Sequence, residues 1–395
     1  MKQQELLIED CFQFIRNGIS VKQNPDSGGL PITRIETISK AVVNPIRVGY
    51  ADIQDGNLGK YEDYILQNGD ILMSHINSMK YLGKSAIYED NPVKLIHGMN
   101  LLCLRPIRDK CFPKYINYFF SSGQFKNQLP KISNQSVNQA SFPAGKLKKL
   151  KINLPPLETQ KRIAKILDDA AALRDKTAQL LKEYDLLAQS IFLDMFGDPI
   201  SNNKNLDKIS LKEITNISSG STPSRKNESN FNGHIPWVKT GEVNSNLILD
   251  TEEKITEEGL KSSSCKIYKK GSLIIAMYGQ GKTRGRVSVL GVPATTNQAC
   301  AVLSPSEKMN FTYLYEHIKM VYKDLRSLGR GGGQPNLNAA LIKNYKVLNP
   351  PAELQNQFAE KIALIEQQKA LAKQELQESE DLFNCLLQKA FKGEL

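Results

Sequence analysis

The sequence predicts an α+β protein of two similar halves, in which each half is a region of mixed strands and helices followed by one long helix. Three observations support this fold class: an internal repeat, a heptad pattern inside the repeat, and short strand and turn signals outside it. The length of 395 residues agrees, because a chain of this size ordinarily divides into roughly two or three domains.

The internal repeat relates a segment that begins at Pro155 to a second one that begins at Pro350, with a constant offset and no gap. The identical positions are Pro155/Pro350, Pro156/Pro351, Glu158/Glu353, Gln160/Gln355, Ala164/Ala359, Gln179/Gln374, Leu181/Leu376, Glu183/Glu378, Leu187/Leu382 and Phe196/Phe391. A repeat of this kind indicates that the architecture around it is duplicated as well.

Inside both copies, apolar or small residues alternate at steps of four and three, which is the spacing of a coiled-coil seam. The first copy has Ile163, Leu167, Ala170, Thr177, Leu181, Tyr184, Ala188, Ile191 and Met195, with Arg174 interrupting. The second copy has Phe358, Ile362, Ile365, Ala372, Leu376, Phe383, Leu386 and Ala390, with Lys369 and Ser379 interrupting. Each stretch of about 40 residues would form a helix roughly 60 Å long.

These long helices need a partner for their apolar seams, and each has one candidate in the same chain. We therefore expect an antiparallel intramolecular coiled coil, with the two globular regions at opposite ends of a rod. The paired prolines suit helix starts, and Gly197 and Gly393 suit helix ends. The alternative is that each helix packs only on its own globular region.

The regions outside the repeat carry strand and turn signals in the same order. A turn precedes a buried strand at 71–74 and again at 273–276, and a helix that fits 113–120 is echoed by 311–315. The predicted domains are 1–152, 153–198, 199–347 and 348–395, of which the first and third are globular and the second and fourth helical.

The charge of the chain is unevenly distributed. The formal net charge is +11. Residues 155–198 carry 6 positive and 8 negative groups and residues 350–395 carry 5 and 8, so the helical segments sum to −5 and the remainder to +16. A basic balance on folded domains indicates a polyanionic partner, nucleic acid first. The alternative is a solvated basic surface without a partner.

Several classes of protein are excluded by composition and motif. The six cysteines are scattered and form no CxxC pair, so we expect free thiols and no metal site. No run of about 18 apolar residues could span a membrane, and the first residues lack the order of a signal peptide, so we expect a cytoplasmic protein. Ala352 replaces the aromatic residue of an amino-methyltransferase motif, and Ala276 replaces the first glycine of a nucleotide-binding loop.

The repeated segments resemble those of a known family. The first copy reads LPPLETQKRIAKILDDAAALRDK and ends with LLAQSIFLDMFGDP, and the second reads NPPAELQNQFAEKI and ends with LFNCLLQKAFKGEL. They are similar to the central and distal conserved regions of the specificity subunits of type I restriction–modification systems. The loops at 138–141 and 334–337 also fit. The resemblance covers essentially the whole chain, and it is strong in the repeats and weak in the surface-exposed parts of the globular regions.

This resemblance implies two target-recognition domains, each reading one half of a split asymmetric DNA sequence in the major groove. The coiled coil would set the spacer between the half-sites and dock two methyltransferase subunits, which carry S-adenosylmethionine and methylate adenine at N6. Restriction and translocase subunits that use ATP and magnesium would join them. None of that chemistry would reside in this chain, which would be non-catalytic by itself and without a cofactor of its own.

Candidate DNA-contacting residues come from loops rich in cations and amides. The segment 281–286 combines glycines with cations that can meet phosphates or guanine edges, although an ordinary exposed hairpin tip also fits. In the second globular region the candidates are Lys282, Thr283, Arg284, Arg286, Lys239, Arg225 and Gln334. In the first region, position matching gives Arg34, His75, Asn77, Lys80 and Lys84.

Two other functions stay open at this point. A non-enzymatic coiled-coil scaffold could use basic domains to bind RNA or an acidic protein, and strongly salt-dependent but sequence-blind binding would favour it. A stand-alone nuclease or methyltransferase is a second alternative, although no clustered carboxylates or cofactor loop support it. Activity of the purified chain alone would favour the enzyme.

Overall fold

The computed structural model describes residues 4–26, 28–89, 93–137, 139–279, 281–329 and 335–395. The chain divides into two compact units, the first comprising Met1–Thr177 with Gln374–Leu395 and the second comprising Ala178–Lys373. Each unit therefore contains one globular region together with one half of each long helix. The domain boundaries predicted from the sequence follow the ends of the long helices, whereas these units are defined by their compactness. The predicted boundaries therefore stay a prediction.

The first unit contains short strands, short helices and the start of the first long helix. The strands are β1 (Gln4–Leu7), β2 (Phe12–Asn17), β3 (Pro31–Ile32), β4 (Gly49–Tyr50), β5 (Ile71–Ser74), β6 (Ile76–Asn77), β7 (Ser85–Ile87), β8 (Leu101–Pro106), β9 (Asn134–Gln135), β10 (Ala140–Ser141) and β11 (Lys151–Leu154). The helices are α1 (Pro113–Ser121), α2 (Gly123–Lys126), α3 (Leu129–Ile132), α4 (Ala144–Lys148) and the long α5 (Leu157–Phe196).

The main sheet of the first unit is antiparallel and has the strand order β2-β8-β5-β7. Strand side chains alternate between its two faces. Met73 faces one core, which also contains Phe119 of α1 and Leu167 of α5, while Leu72 faces a second core with Val43. The N-terminal strand β1 pairs with β11, just before the long helix.

The second unit follows the same plan with its own elements. The strands are β12 (Lys208–Ser210), β13 (Ile217–Ser219), β14 (Phe231–Val238), β15 (Leu247–Ile248), β16 (Lys254–Ile255), β17 (Leu273–Ala276), β18 (Val287–Leu290), β19 (Thr295–Thr296), β20 (Cys300–Leu303) and β21 (Lys346–Leu348). The helices are α6 (Leu211–Ile214), α7 (Glu257–Lys261), α8 (Phe311–Met320), α9 (Tyr322–Ser327), α10 (Ala339–Asn344) and the long α11 (Ala352–Lys392).

The main sheets of the two units have equivalent topology. The order β13-β20-β17-β18-β15 in the second unit repeats β2-β8-β5-β7 and adds one strand, and β12 pairs with β21 as β1 pairs with β11. In both units a helix, α1 or α8, follows the strand β8 or β20. The prediction of two copies of one α+β fold is therefore confirmed.

The two long helices begin and end where the sequence predicts. Each starts directly after two prolines, and each stops at a glycine with a positive φ, 73° at Gly197 and 82° at Gly393. In the first unit, Leu167 of α5 shares a core with Phe391 of α11. In the second unit, Phe192 near the end of α5 shares a core with Phe358 near the start of α11. Opposite ends are paired, so the helices run antiparallel, and each also packs on the core of a globular region.

The predicted seam residues are buried or half-buried in both helices, and the polar residues that interrupt the pattern make contacts of their own. Ile163, Leu167, Phe358, Ile362 and Ile365 are buried, whereas Leu181, Ile191, Leu376 and Leu386 are half-buried. Arg174 lies over the ring of Phe383 at 4.9 Å from its centroid. Lys369, at the repeat-equivalent position, pairs through Nζ with Asp185 at 2.8 Å. Long cationic side chains can pack their stems in a seam while their heads reach a partner.

A buried glutamine near the start of each long helix explains one of the identities in the repeat. Gln160 Nε2 donates to the Lys110 and Pro155 carbonyls at 2.9 and 2.8 Å, and its Oε1 accepts from the Phe112 N–H at 2.8 Å. Gln355 makes the matching bonds to Pro350 and Asn310. Because Phe112 and Asn310 directly precede α1 and α8, each amide ties the start of a long helix to the start of α1 or α8 in the globular region of the same unit.

Three findings bear on the classes of protein that composition and motif exclude. Within the described ranges, no helix is long and apolar enough to cross a membrane. Over the same ranges, no group of three or more His, Cys, Asp or Glu side chains is arranged to hold a metal ion. The six cysteines are free thiols.

Candidate nucleic-acid interface

Two loops that connect equivalent strands carry most of the predicted DNA-contacting residues. Hairpin 1 comprises residues 75–84 between β5 and β7, and hairpin 2 comprises residues 277–286 between β17 and β18. Hairpin 1 contains His75, Asn77, Lys80 and Lys84, and hairpin 2 contains Lys282, Thr283, Arg284 and Arg286. The sequence-based position matching therefore falls on equivalent places in the two folds.

The bases of the two hairpins are closed in the same way. In hairpin 2, the Ala276 N–H donates to the Arg286 carbonyl and the Gly285 N–H to the Ala276 carbonyl, at 3.0 and 2.8 Å. In hairpin 1, Ser74, Lys84 and Gly83 make the same two bonds, both at 2.8 Å. Gly83 and Gly285 have φ values of 73° and 87°, in the left-handed region that favours glycine. Lys84 and Arg286 consequently occupy equivalent positions.

The second side of each hairpin is also fixed by an equivalent backbone bond. The Phe142 N–H donates to the His75 carbonyl and the Leu337 N–H to the Met277 carbonyl, each at 3.0 Å. Phe142 follows the polar segment 133–139 of the sequence, and Leu337 is the last residue of the segment 332–337. Gln334, one of the predicted contact residues, and Asn138 of the matching loop lie outside the described residues.

The cationic side chains of hairpin 2 differ in their exposure and in their hydrogen bonds. Lys282 is exposed, and Arg286 is half-buried and donates from Nη1 to Asn244 Oδ1 at 2.7 Å. Thr283 is half-buried and its carbonyl accepts from the Arg286 N–H. Arg284 is half-buried, and its Nε is buried without a hydrogen-bond partner among the described residues. Burial and the positive charge of Arg326 lower the pKa of Arg284.

The short helix α9 holds hairpin 2 in place, and the sequence interpretation missed it. Tyr322 Oη donates to the Lys282 carbonyl at 2.7 Å, and Arg326 Nη1 donates to the Arg284 carbonyl at 3.0 Å. Tyr322 and Arg326 are four residues apart and therefore lie on one face of the helix. The sequence shows this spacing of a tyrosine and an arginine, which predicts that they share a helix face. It does not show which loop that face contacts.

Arg225 and Lys239 lie together at a different site in the second unit. Lys239 Nζ is 3.0 Å from carboxylate oxygens of both Glu252 and Glu253, and Arg225 Nη2 is 2.7 Å from Glu253. These carboxylates raise the pKa of Lys239, and the two cations lower the pKa of Glu253. The Arg225 guanidinium also lies 5.1 Å from the Trp237 ring centroid. Their charge is neutralised locally, unlike that of hairpin 2.

The predicted residues of the first unit differ in how far they are available. His75 is only 8% exposed, packs its ring against Phe142, and has a pKa lowered by burial, so its ring is not presented to a ligand. Lys80 is exposed, and Lys84 Nζ donates to the Ser39 carbonyl at 2.6 Å. Asn77 is half-buried, and its amide bonds to Ser74 Oγ and the Ser78 N–H. Arg34 is exposed and donates to Gln23 Oε1.

A family model described as the type I restriction modification DNA specificity domain matches this chain twice, over residues 4–183 and 203–380. The chain belongs to this family. Each match contains one of the two hairpins and most of one globular region. It is a type I restriction–modification specificity subunit with two DNA recognition domains.

Individual relatives agree with the family match. The putative type I restriction enzyme MjaX specificity subunit of Methanocaldococcus jannaschii is 30% identical over 379 residues, spanning 91% of this chain and 85% of that protein. The EcoR124I/EcoR124II specificity subunit of Escherichia coli is 27% identical and spans 64% of this chain and 63% of its own. Both relatives are similar to this chain over more than half of its length.

Solved structures share the fold at lower identity. The S subunit of a type I restriction–modification system from M. genitalium has a TM-score of 0.57 at 15% identity and covers 99% of this chain and 96% of its own. A chain from a study of complex assembly in the type I R-M system has a TM-score of 0.60 at 14% identity. The match covers 100% of this chain and 98% of that one. These likenesses extend over the whole chain and concern the fold.

Proposed function

We propose that this specificity subunit reads a bipartite DNA target, one half-site through each recognition domain, and is non-catalytic by itself. The observation that carries the proposal is the pair of equivalent hairpins, which share one backbone design but carry different side chains. Lysine and arginine can bind guanine O6 and N7, asparagine can bind adenine, and cations also contact phosphates. Lysines occupy the equivalent positions 80 and 282, but Asn77 of hairpin 1 has Gly279 as its counterpart, and Arg286 of hairpin 2 has Lys84. Different side chains on one scaffold would select different half-sites.

The long helices supply the surface that we assign to partner subunits. Three of the repeated identities are spaced by four residues and point away from the seam: Gln179, Glu183 and Leu187 in the second unit, and Gln374, Glu378 and Leu382 in the first. We call each set a shared stripe. Leu187 and Leu382 are 45% and 46% exposed, and the amide of each stripe bonds to its own glutamate. Identical exposed residues are not needed for packing, so they support two copies of one partner.

The partners that fit this assignment are two methyltransferase subunits, one at each shared stripe, joined by restriction and translocase subunits. The S-adenosylmethionine for adenine N6 methylation, and the ATP and magnesium for translocation and cleavage, would be bound by those partners. We expect the complex to act on cellular DNA in the cytoplasm. The part of the restriction system that resides in this chain is recognition.

The proposal is tested by mapping adenine methylation in cells with and without this chain. The expected result is the loss of one two-part methylated motif when the chain is deleted and its return on complementation. An unchanged methylome, in cells shown to express the methyltransferase partner, would contradict the proposal. A scaffold for RNA or an acidic protein would instead leave methylation intact and bind duplexes without regard to sequence.

A further inference from the structure

Hairpin 2 and helix α9 place two arginines side by side without a carboxylate. Arg326 Nη1 bonds to the Arg284 carbonyl at 3.0 Å, and a Cβ added at Gly329 would lie 3.3 Å from Arg284 Cζ, so the Arg284 guanidinium lies against the end of α9. Throughout the described ranges, neither arginine forms an ion pair with an aspartate or glutamate. Two like charges held together raise each other's free energy unless an anion neutralises them.

The arrangement is not required by the fold. The residue of hairpin 1 that is equivalent to Arg284 is Leu82, which is 5% exposed and lies in the apolar core with Phe125 and Leu129. The same backbone position is therefore filled by a buried leucine in one domain and by a half-buried arginine in the other. An arginine whose Nε is buried without a hydrogen-bond partner costs stability, and a leucine would not.

We propose that Arg284 and Arg326 together bind one phosphate of the DNA backbone. Guanidinium groups bind phosphate oxygens with paired, charge-assisted hydrogen bonds, and a phosphate between the two arginines would neutralise their repulsion. Phosphate contacts carry no sequence information but fix the register of a protein on the duplex. The contact would place hairpin 2 so that Lys282 and Arg286 reach the groove. This inference rests on the proposed function, since it assumes that hairpin 2 meets DNA.

The test is the salt dependence of duplex binding by the full chain. The affinity for a duplex falls with salt by a slope of about 0.9 per neutralised phosphate in a plot of log K against log salt concentration. Because the proposed site needs both guanidinium groups to hold the phosphate, we expect Arg326→Gln to lower the slope by about 0.9 and to weaken binding equally for target and scrambled duplexes. Arg326→Lys, which keeps the charge, should retain the slope. Lys323 is exposed on the same helix, and Lys323→Gln removes the same charge. This control variant should retain the wild-type slope as well.

A double variant tests whether the arginines share one phosphate. We expect Arg284→Gln with Arg326→Gln to lower the slope by about 0.9 in total, whereas a loss of about 1.8 would show two separate phosphates and overturn the shared site. If Arg326 only positioned the hairpin, Arg326→Gln would reduce discrimination between target and scrambled duplexes without changing the slope. That result would overturn the phosphate site.

The remaining outcomes separate this site from its alternatives. If the pair were a site for free anions, inorganic phosphate at constant ionic strength would raise the melting temperature of the wild type but not of Arg326→Gln, with equal duplex slopes. That would overturn the assignment to DNA. Failure of the wild type to bind any duplex would overturn both this inference and the proposed function. Normal binding with an unchanged Arg326→Gln slope would overturn the phosphate site alone.

Discussion

Single buried polar residues join each recognition domain to the long helices. Gln160 and Gln355 are 0% and 3% exposed, and their amides satisfy backbone groups at helix starts that have no partner inside their own helix. A buried amide of this kind fixes the direction in which the helix leaves the domain. The identity of the two glutamines in the repeat therefore has a structural cause, separate from the exposed identities assigned to docking.

Replacing Gln160 by alanine should lower the free energy of unfolding by about 1–3 kcal/mol, because the Phe112 N–H and two carbonyls would lose their buried partner. Urea titration followed by circular dichroism measures the change. Gln179→Ala is the control, since that amide is exposed and bonds to Glu183 on the surface of the same helix. Equal effects of the two substitutions would show that the buried bonds do not stabilise the domain.

A buried histidine in the second unit predicts a dependence of stability on pH. His317 accepts a hydrogen bond from the Leu348 N–H through Nε2, and burial lowers its pKa from 6.5 to about 3. As the pH falls, His317 is therefore protonated in the unfolded chain before it is protonated in the folded one. The stability contributed by the neutral ring is present above about pH 6.5 and is lost as the pH falls toward 3.

Replacing His317 by glutamine should remove part of this dependence. Between about pH 7 and pH 5.5 the wild type should lose about 1 kcal/mol of unfolding free energy more than His317→Gln. Urea titrations at the two pH values measure the difference. His234→Gln should behave like the wild type, because the His234 side chain is 78% exposed. A pH dependence unchanged in His317→Gln would mean that this ring is not held neutral by the fold.

Among the elements, each long helix has a seam that packs in a core and an opposite face that is exposed to solvent. Ile362 in the seam is 3% exposed, whereas Leu364 on the same helix is 63% exposed. Ile362→Ala should cost about 2–5 kcal/mol of unfolding free energy, because it leaves a cavity in the core. Leu364→Ala should change stability by less than about 0.5 kcal/mol. Thermal or urea denaturation that fails to separate the two variants would contradict the observed seam.

The two shared stripes predict the number of methyltransferase subunits in the complex. If each stripe docks one methyltransferase, Leu187→Ala and Leu382→Ala should each reduce the assembly to one methyltransferase, and the double variant should bind neither. Native mass spectrometry of the purified complex measures the stoichiometry. Leu371→Ala, which is exposed but has no counterpart in the repeat, is the control. Loss of both subunits from a single variant would contradict two separate docking sites.

The elements differ in how much of them could be predicted from sequence. The long helices were predictable because their seams repeat along contiguous chain, and the two domains because a turn and a buried strand recur in order. The supports of hairpin 2 were not, since Arg326 and Tyr322 lie about 40 residues after the carbonyls they bind. The neutralisation of Lys239 by Glu252 and Glu253 likewise depends on strands that meet only in the fold.

At the scale of the whole molecule, duplication with divergence is the basis of the proposed function. Both recognition domains have one topology, one hairpin geometry and one glutamine link to a long helix. The side chains at equivalent hairpin positions differ, with Asn77, Leu82 and Lys84 in the first domain against Gly279, Arg284 and Arg286 in the second. A duplicated frame with two different sets of contacts is suited to an asymmetric two-part target.

In the proposed function, each hairpin reads its own half-site. Lys282→Ala combined with Arg286→Ala should relax or abolish one half of the methylated motif and leave the sequence of the other half unchanged. Single-molecule sequencing of methylated adenines, in cells that express this chain with its partner subunits, measures both halves at once. Asn77→Ala with Lys80→Ala should alter only the opposite half. Changes in both halves from either pair, or an unaltered motif from both, would contradict the account.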